Sequence, residues 1–265
     1  MMNATLRSVA LIVLLSLTAC SSLQERDDTV GWSPQKIYDT GKEALDEGNF
    51  EKAVKYFERL EARYPYGRHA QQAQLETAYA YYKSAEPEKA IAAAERFIRL
   101  HPDHPNVDYA YYLKGLATFN ADLGLLGRLA NVDLAERDPK GARESFEAFK
   151  TLVTRFPDSR YAADSRKRLQ YLINALGRHE TLVARYYLSR HAYVAAINRA
   201  QTALKEFPDT PAQEDALGVL VHANKALGLI DASEDARKVL SLNYPDSPWL
   251  KGIHDGSSPW WKFWN

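Results

Sequence analysis

The sequence predicts an all-α protein, a superhelical solenoid of about five antiparallel helix pairs, and three observations carry that expectation. An aromatic residue or histidine followed by proline recurs as Tyr64-Pro65, His101-Pro102, Phe156-Pro157, Phe207-Pro208 and Tyr244-Pro245, and four of the five continue with aspartate. The proline spacings are 37, 55, 51 and 37 residues, a period of helix-pair length with longer insertions in the middle. Glycine and proline are sparse, 13 and 12 in 265 residues, and they punctuate stretches of helical apolar period.

Taken in chain order, residues 1–19 form a removable leader. Arg7 precedes the apolar residues 9–15, and small residues lead to Cys20, the single cysteine. Seven residues make a helix of about 11 Å, too short for a hydrocarbon core about 30 Å thick. Leu17-Thr18-Ala19-Cys20 resembles the bacterial lipobox, the alternative being an ordinary leader with a chance cysteine. The resemblance implies a diacylglycerol and an N-acyl chain on Cys20, leaving no thiol for disulfide, metal or catalysis. No later apolar run approaches the roughly 20 residues of a membrane span, so the acyl chains would be the whole attachment. Residues 20–32 are the lipidated linker.

Residues 33–158 are expected to hold three repeats. Gly48, Phe50, Ala53, Val54, Phe57, Leu60 and Pro65 resemble the second half of a tetratricopeptide repeat, with Gly41 at the small position of the preceding helix. A second copy follows 37 residues on with Ala90, Ile91, Ala94, Phe97 and Pro102. The third keeps only Phe149, Leu152 and Pro157. Small residues at Gly41, Ala53, Ala78, Ala90 and Ala196 would let helices approach, and Phe57, Leu60 and Phe97 would fill the space between pairs. Proline at 34, 105 and 211 suits a first helical position, behind Ser33 and Thr210 as N-caps, with Gln213 completing a capping box.

Two departures interrupt the repeat. Residues 120–139 are an insertion rich in Leu and Gly, read either as a binding loop or as a loop that merely covers a face. Residues 160–190 read as one long helix with Gly177 as a weak break, joining the first set of repeats to a C-terminal set within 159–248. Residues 249–265 form a tail holding Trp249, Trp260, Trp261 and Trp264, which would pack on the last repeat, meet a partner, or rest at the headgroup level of a membrane.

Charge excludes one class of partner. Lys plus Arg equals Asp plus Glu at 34 each, which gives no electrostatic case for nucleic acid. His101-Pro102-Asp103-His104 occupies a slot filled elsewhere by Phe-Pro-Asp, so a turn explains it and no metal is expected. No nucleophile elbow, P-loop or His-Glu-x-x-His occurs, and no enzyme is expected. The tyrosine clusters Tyr79, Tyr81, Tyr82 and Tyr109, Tyr111, Tyr112 fall in first helices, the ones that line the concave face of such arrays. Tyr38, Tyr79, Tyr82 and Tyr112 with Lys42 and Lys83 are the candidate groove for an extended peptide, although helical phase commits part of each cluster to the core.

The chain as a whole is similar to the BamD family of tetratricopeptide lipoproteins. The likeness rests on the lipobox, Tyr64-Pro65-Tyr66-Gly67, Arg137-Asp138-Pro139, and Val183-Ala184-Arg185-Tyr186-Tyr187 leading into Tyr193-Val194-Ala195-Ala196-Ile197-Asn198-Arg199. It implies five repeats and a non-enzymatic scaffold, lipid-anchored in the outer membrane of a Gram-negative bacterium and facing the periplasm. Ser21 after Cys20 is consistent with that sorting. It further implies BamA as partner of the C-terminal repeats, at Arg185, Arg190 and Arg199, with BamC and BamE as further partners. Unfolded outer-membrane proteins would be held by the N-terminal repeats. The tail departs from the family. Another tetratricopeptide envelope lipoprotein, a secretin pilotin or a cell-wall synthesis adaptor, is the alternative reading.

Overall fold

The computed structural model describes residues 27–129 and 133–251, with side chains described for 27–119 and 133–251. Cys20, the leader and the tail beyond Lys251 lie outside the described residues. Among the described residues ten α-helices form five pairs: α1 (Pro34–Asp46) with α2 (Phe50–Arg63), α3 (Arg68–Lys83) with α4 (Pro87–Leu100), and α5 (Val107–Leu129) with α6 (Lys140–Arg155). The last two pairs are α7 (Ala162–Ser189) with α8 (Tyr193–Glu206), and α9 (Ala212–Ala226) with α10 (Ile230–Asn243). Each helix packs on the next, and α1, α3 and α5 also touch in a row, as do α7 and α9. The expected solenoid of five pairs is what the chain builds.

Small residues set the spacing of the pairs. A Cβ on Gly41 would lie 2.5 Å from the Phe57 ring, so only glycine admits that ring against α1. Phe57, Leu60, Phe97, Phe149 and Leu152 are at most 1% exposed, and Ala53, Ala78, Ala90 and Ala196 are buried with them. The third repeat, faint in sequence, uses the same device: Gly115 faces Phe149, where a Cβ would come within 2.6 Å of the ring. Gly41, Ala78 and Gly115 stand 37 residues apart. The helix pairs therefore repeat even where the rest of the motif has decayed.

Helix starts differ from the expected caps at two prolines. Ser33 does cap α1, accepting from the Lys36 backbone N–H at 3.3 Å, with Pro34 as first helical residue. Pro105, however, sits in the turn before α5, and Pro211 is itself the residue before α9. Thr210 donates its hydroxyl back to the Phe207 carbonyl at 2.9 Å instead of accepting from the helix, so it closes the preceding turn and Gln213 completes no capping box.

The insertion is not a single loop. Its first part, to Leu129, continues α5 as helix, and Leu134–Glu136 form one 3-10 turn buried against α7. His179 Nδ1 lies 2.8 Å from the Ala135 carbonyl, and Arg178 pairs with Asp133. The helix expected over 160–190 runs from Ala162 to Ser189, and Gly177 does not break it. That glycine gives room for Phe207, Thr210 and Ala212 at the α8–α9 turn.

At the N-terminal end, the last residues of the linker dock on α2. Arg63 pairs with Asp27, Tyr56 donates to Asp28 at 3.0 Å, and Trp32 stacks on Tyr56 at 6.2 Å. At the C-terminal end Trp249, 4% exposed, fills a notch over Gly218 and donates its indole N–H to Asp215 at 2.8 Å. Of the tail's tryptophans, Trp249 thus packs on the last repeat. Among the described residues no helix is long and apolar enough to cross a membrane.

Candidate functional site

The first helices of the N-terminal repeats bring aromatic side chains to one concave groove of about 550 Å³. Tyr38 from α1, Tyr109 from α5 and Tyr161 from the turn before α7 are its aromatic lining, and Glu76, Asp108, Asp158 and Arg160 are its charged lining. The junction of α5 with α7 is made by long side chains. Tyr161 stacks on Tyr109 at 5.2 Å and on Tyr112 at 4.7 Å, and the Tyr112 hydroxyl donates to Asp164 at 2.8 Å. Ser159 donates to Asp108 at 2.5 Å beside them.

Of the six residues singled out in sequence, Tyr38 alone lines the groove. Its hydroxyl reaches Glu76, and burial together with that carboxylate pushes it up to about 12. Tyr79 and Tyr82 are half-buried, packed with Tyr109 against Ala78, Ala94 and Leu113, so helical phase has spent them on the core. Tyr112 is a rung of the stacked ladder beneath the groove. Lys42 is paired with Glu76 at 3.4 Å and with Asp46 at 3.8 Å. Lys83 is exposed at the end of α3.

Sequence reasoning missed Tyr161, Glu76, Asp108, Asp158 and Arg160 as groove residues, and it named Tyr109 only as a member of a cluster. A usable signal was present at Asp158-Ser159-Arg160-Tyr161, where the turn after Pro157 carries an extra Arg-Tyr absent from the other proline turns. Burial, with Tyr161 and Glu76 alongside, holds the Tyr109 hydroxyl well above its ordinary range. At Asp164 burial works to raise the carboxyl, but the hydrogen bonds from Arg168, at 2.6 Å, and from Tyr112 outweigh it and hold the group below its usual range.

The three C-terminal arginines each have a partner within the chain. Arg199 on α8 binds Glu180 on α7 at 3.0 Å, and Arg143 on α6 binds the other oxygen of the same carboxylate at 2.9 Å. Arg185 faces Asp215 at 3.8 Å and lies 5.8 Å over the Trp249 ring. Arg190 lies 5.5 Å over the Tyr186 ring. Arg199 keeps 46% of its side chain exposed, so a partner could still reach it. His101 is a turn residue packed 5.0 Å from Phe97, its Nε2 3.0 Å from Gln74. Among the described residues no group of three or more His, Cys, Asp or Glu is placed to hold a metal ion.

Stacked helix pairs, glycine notches filled by aromatic rings and a concave tyrosine groove define a tetratricopeptide-type scaffold. A family model described as "YfiO: Outer membrane lipoprotein" matches residues 31–240. The chain is 46% identical over 267 residues to a protein of Neisseria meningitidis serogroup B named outer membrane protein assembly factor BamD, covering 100% of both chains. Proteins of the same name are 39% identical in Xylella fastidiosa Temecula1, over 93% of this chain and 84% of that one, and 37% identical in Vibrio cholerae, over 88% and 96%. The chain belongs to the YfiO/BamD family of outer membrane lipoproteins.

Proposed function

We propose that this chain is a non-enzymatic scaffold of outer-membrane protein assembly, anchored through acyl chains on Cys20 and facing the periplasm. The observation that carries the reading is the end-to-end likeness, 46% identity with neither chain overhanging, to relatives named as assembly factors. A likeness confined to the helix-pair motif would support only a generic repeat scaffold. In this reading the C-terminal repeats dock BamA through the exposed part of Arg199 and its neighbours Arg185 and Arg190. The N-terminal groove holds extended segments of unfolded outer-membrane proteins, and BamC and BamE join the same complex. Neither role needs a cofactor.

Affinity purification from detergent-solubilised envelopes tests the partner. Recovery of a large β-barrel protein supports the proposal, and recovery of a secretin in its place would move the chain to the pilotin class. Cys20→Ser tests the anchor, because one sulfur would carry the whole attachment. The variant is expected unprocessed or in the soluble periplasmic fraction; ordinary membrane fractionation at low and high salt would remove the lipid anchor from the proposal.

A further inference from the structure

Lys42 and Lys83 would suit a peptide carboxylate, but the groove has the opposite polarity. Lys42 is already held by Glu76, Lys83 at the end of α3 is not part of the groove lining, and Lys114 on α5 is held by Glu95 at 2.8 Å. Inside the groove the carboxylates Glu76, Asp108 and Asp158 outnumber the one cation, Arg160. Asp108 is engaged by neutral donors, the Ser159 hydroxyl and the Tyr109 backbone N–H at 2.7 Å. Asp158 is exposed and pairs with no cation among the described residues. Two carboxylates therefore face the groove without a cation bound to them.

Arg160 shows what the groove accepts. Its guanidinium lies 4.7 Å over the Tyr161 ring and donates to the Tyr161 hydroxyl. The molecule thus already seats a cation on its aromatic ladder, using the π-face and the phenolic oxygen together. Arg160 is itself exposed, so its place can be taken.

We propose that this groove selects extended peptide segments bearing a lysine or arginine beside aromatic side chains. The incoming cation would take the tyrosine ladder and the Asp108 and Asp158 carboxylates, and the flanking aromatic groups would pack on Tyr38 and Tyr109. The occupant is fixed by charge complementarity: a free carboxylate entering here meets Asp108 and Asp158, neither bound to a cation, against the single guanidinium of Arg160. The inference rests on the groove-binding reading above and adds to it the sign of the recognised charge.

The test uses the full chain in lipid nanodiscs, with empty nanodiscs as the blank. Fluorescence anisotropy would follow a short labelled peptide of alternating aromatic and polar residues with one central lysine, and analogues with norleucine or glutamate there. The lysine peptide is expected to bind about 3- to 10-fold more tightly than the norleucine peptide, and the glutamate peptide most weakly. Asp158→Asn should narrow that difference. Arg160→Ala, at an exposed site that leaves the fold alone, should tighten the lysine peptide about 3-fold by removing the resident competitor. If Arg160→Ala weakens binding, the groove anchors carboxylates and the inference is overturned while the groove survives. Equal affinity for all three peptides overturns it likewise. No binding of any peptide by the wild-type chain overturns the groove reading and the inference together.

Discussion

Arg199 on α8 donates from Nη1 to Oε2 of Glu180 on α7 across 3.0 Å, and the Glu180 side chain is 2% exposed. Arg143 on α6 takes the other oxygen, so one buried carboxylate ties three consecutive helices at the point where the two sets of repeats meet. A carboxylate in that position is tolerated because both oxygens are matched by guanidinium donors.

Removing one donor should therefore be felt in the fold. Arg199→Ala is expected to lower the unfolding free energy by about 1–3 kcal/mol, the range for stripping a partner from a buried polar group while another remains. In a Glu180→Gln background the same change should cost less, because the charge that needed the arginine has gone. Urea denaturation of the four proteins closes the cycle, and strictly additive losses would show that the pair is not coupled. Weakened BamA binding by Arg199→Ala speaks for docking only where both proteins are fully folded.

The third repeat offers a packing test that does not involve charge. Gly115→Ala would drive a methyl group to within 2.6 Å of the Phe149 ring, which is fully buried and cannot swing aside. Overpacking of this kind costs about 1–3 kcal/mol. Phe149→Leu in the Gly115→Ala background should recover part of that loss, whereas the same substitution alone should destabilise by opening a cavity. A double mutant no better than the worse single mutant would mean that the two sites do not share the space.

These residues also show where the sequence was legible. Gly41 with Phe57 and Ala90 with Phe97 could be read because small residues (Gly41 and Ala78, Ala53 and Ala90), large apolar residues (Leu60 and Phe97) and prolines (Pro65 and Pro102) fall 37 apart, and close packing allows few alternatives there. Gly115 went unread because the long α5 and the turn at Leu134–Glu136 push Phe149 out of that frame. The groove failed for a different reason. Asp108 at the start of α5 and Asp158 and Tyr161 in the turn before α7 are about 50 residues apart and meet only when the two helix starts are brought together. The same holds for Lys42 and Lys114, which are held by Glu76 and Glu95 of neighbouring helices, and for Arg199, whose partner is on the antiparallel α7.

The tyrosines make stability fall on the alkaline side. Burial, together with Glu76 at Tyr38 and Glu58 at Tyr81, pushes both hydroxyls up to about 12 from the ordinary 10. A raised folded-state pKa means the fold favours the protonated form, so this contribution is complete below pH 10 and is lost as pH climbs towards 12. Asp164 works in the opposite direction: its carboxyl is held down, and its contribution is present above its ordinary 3.8 and lost as pH falls below that. Thermal melts should show little change near neutrality and a drop in Tm over the alkaline interval. Tyr81→Phe should flatten part of that drop, and an identical alkaline slope in the variant would remove Tyr81 from the account.

Trp249 closes the solenoid, and its loss should be local. The ring sits over Gly218, where a Cβ would fall 2.1 Å from it, and its N–H is anchored on Asp215. In the last repeat it therefore fills a glycine notch as Phe57 and Phe149 do earlier in the chain, but it comes from the turn after α10 and not from a second helix. Trp249→Ala should cost about 3–5 kcal/mol for a large buried aromatic. Repeat arrays are stabilised chiefly by contacts between neighbours, so that loss should fall on α9 and α10 and spare the groove at the other end. Hydrogen exchange is expected to show faster exchange over residues 212–243 with protection near Phe57 and Phe97 unchanged. Uniform loss of protection along the chain would mean that the array unfolds as one unit and that Trp249 stabilises the groove as much as the end it caps.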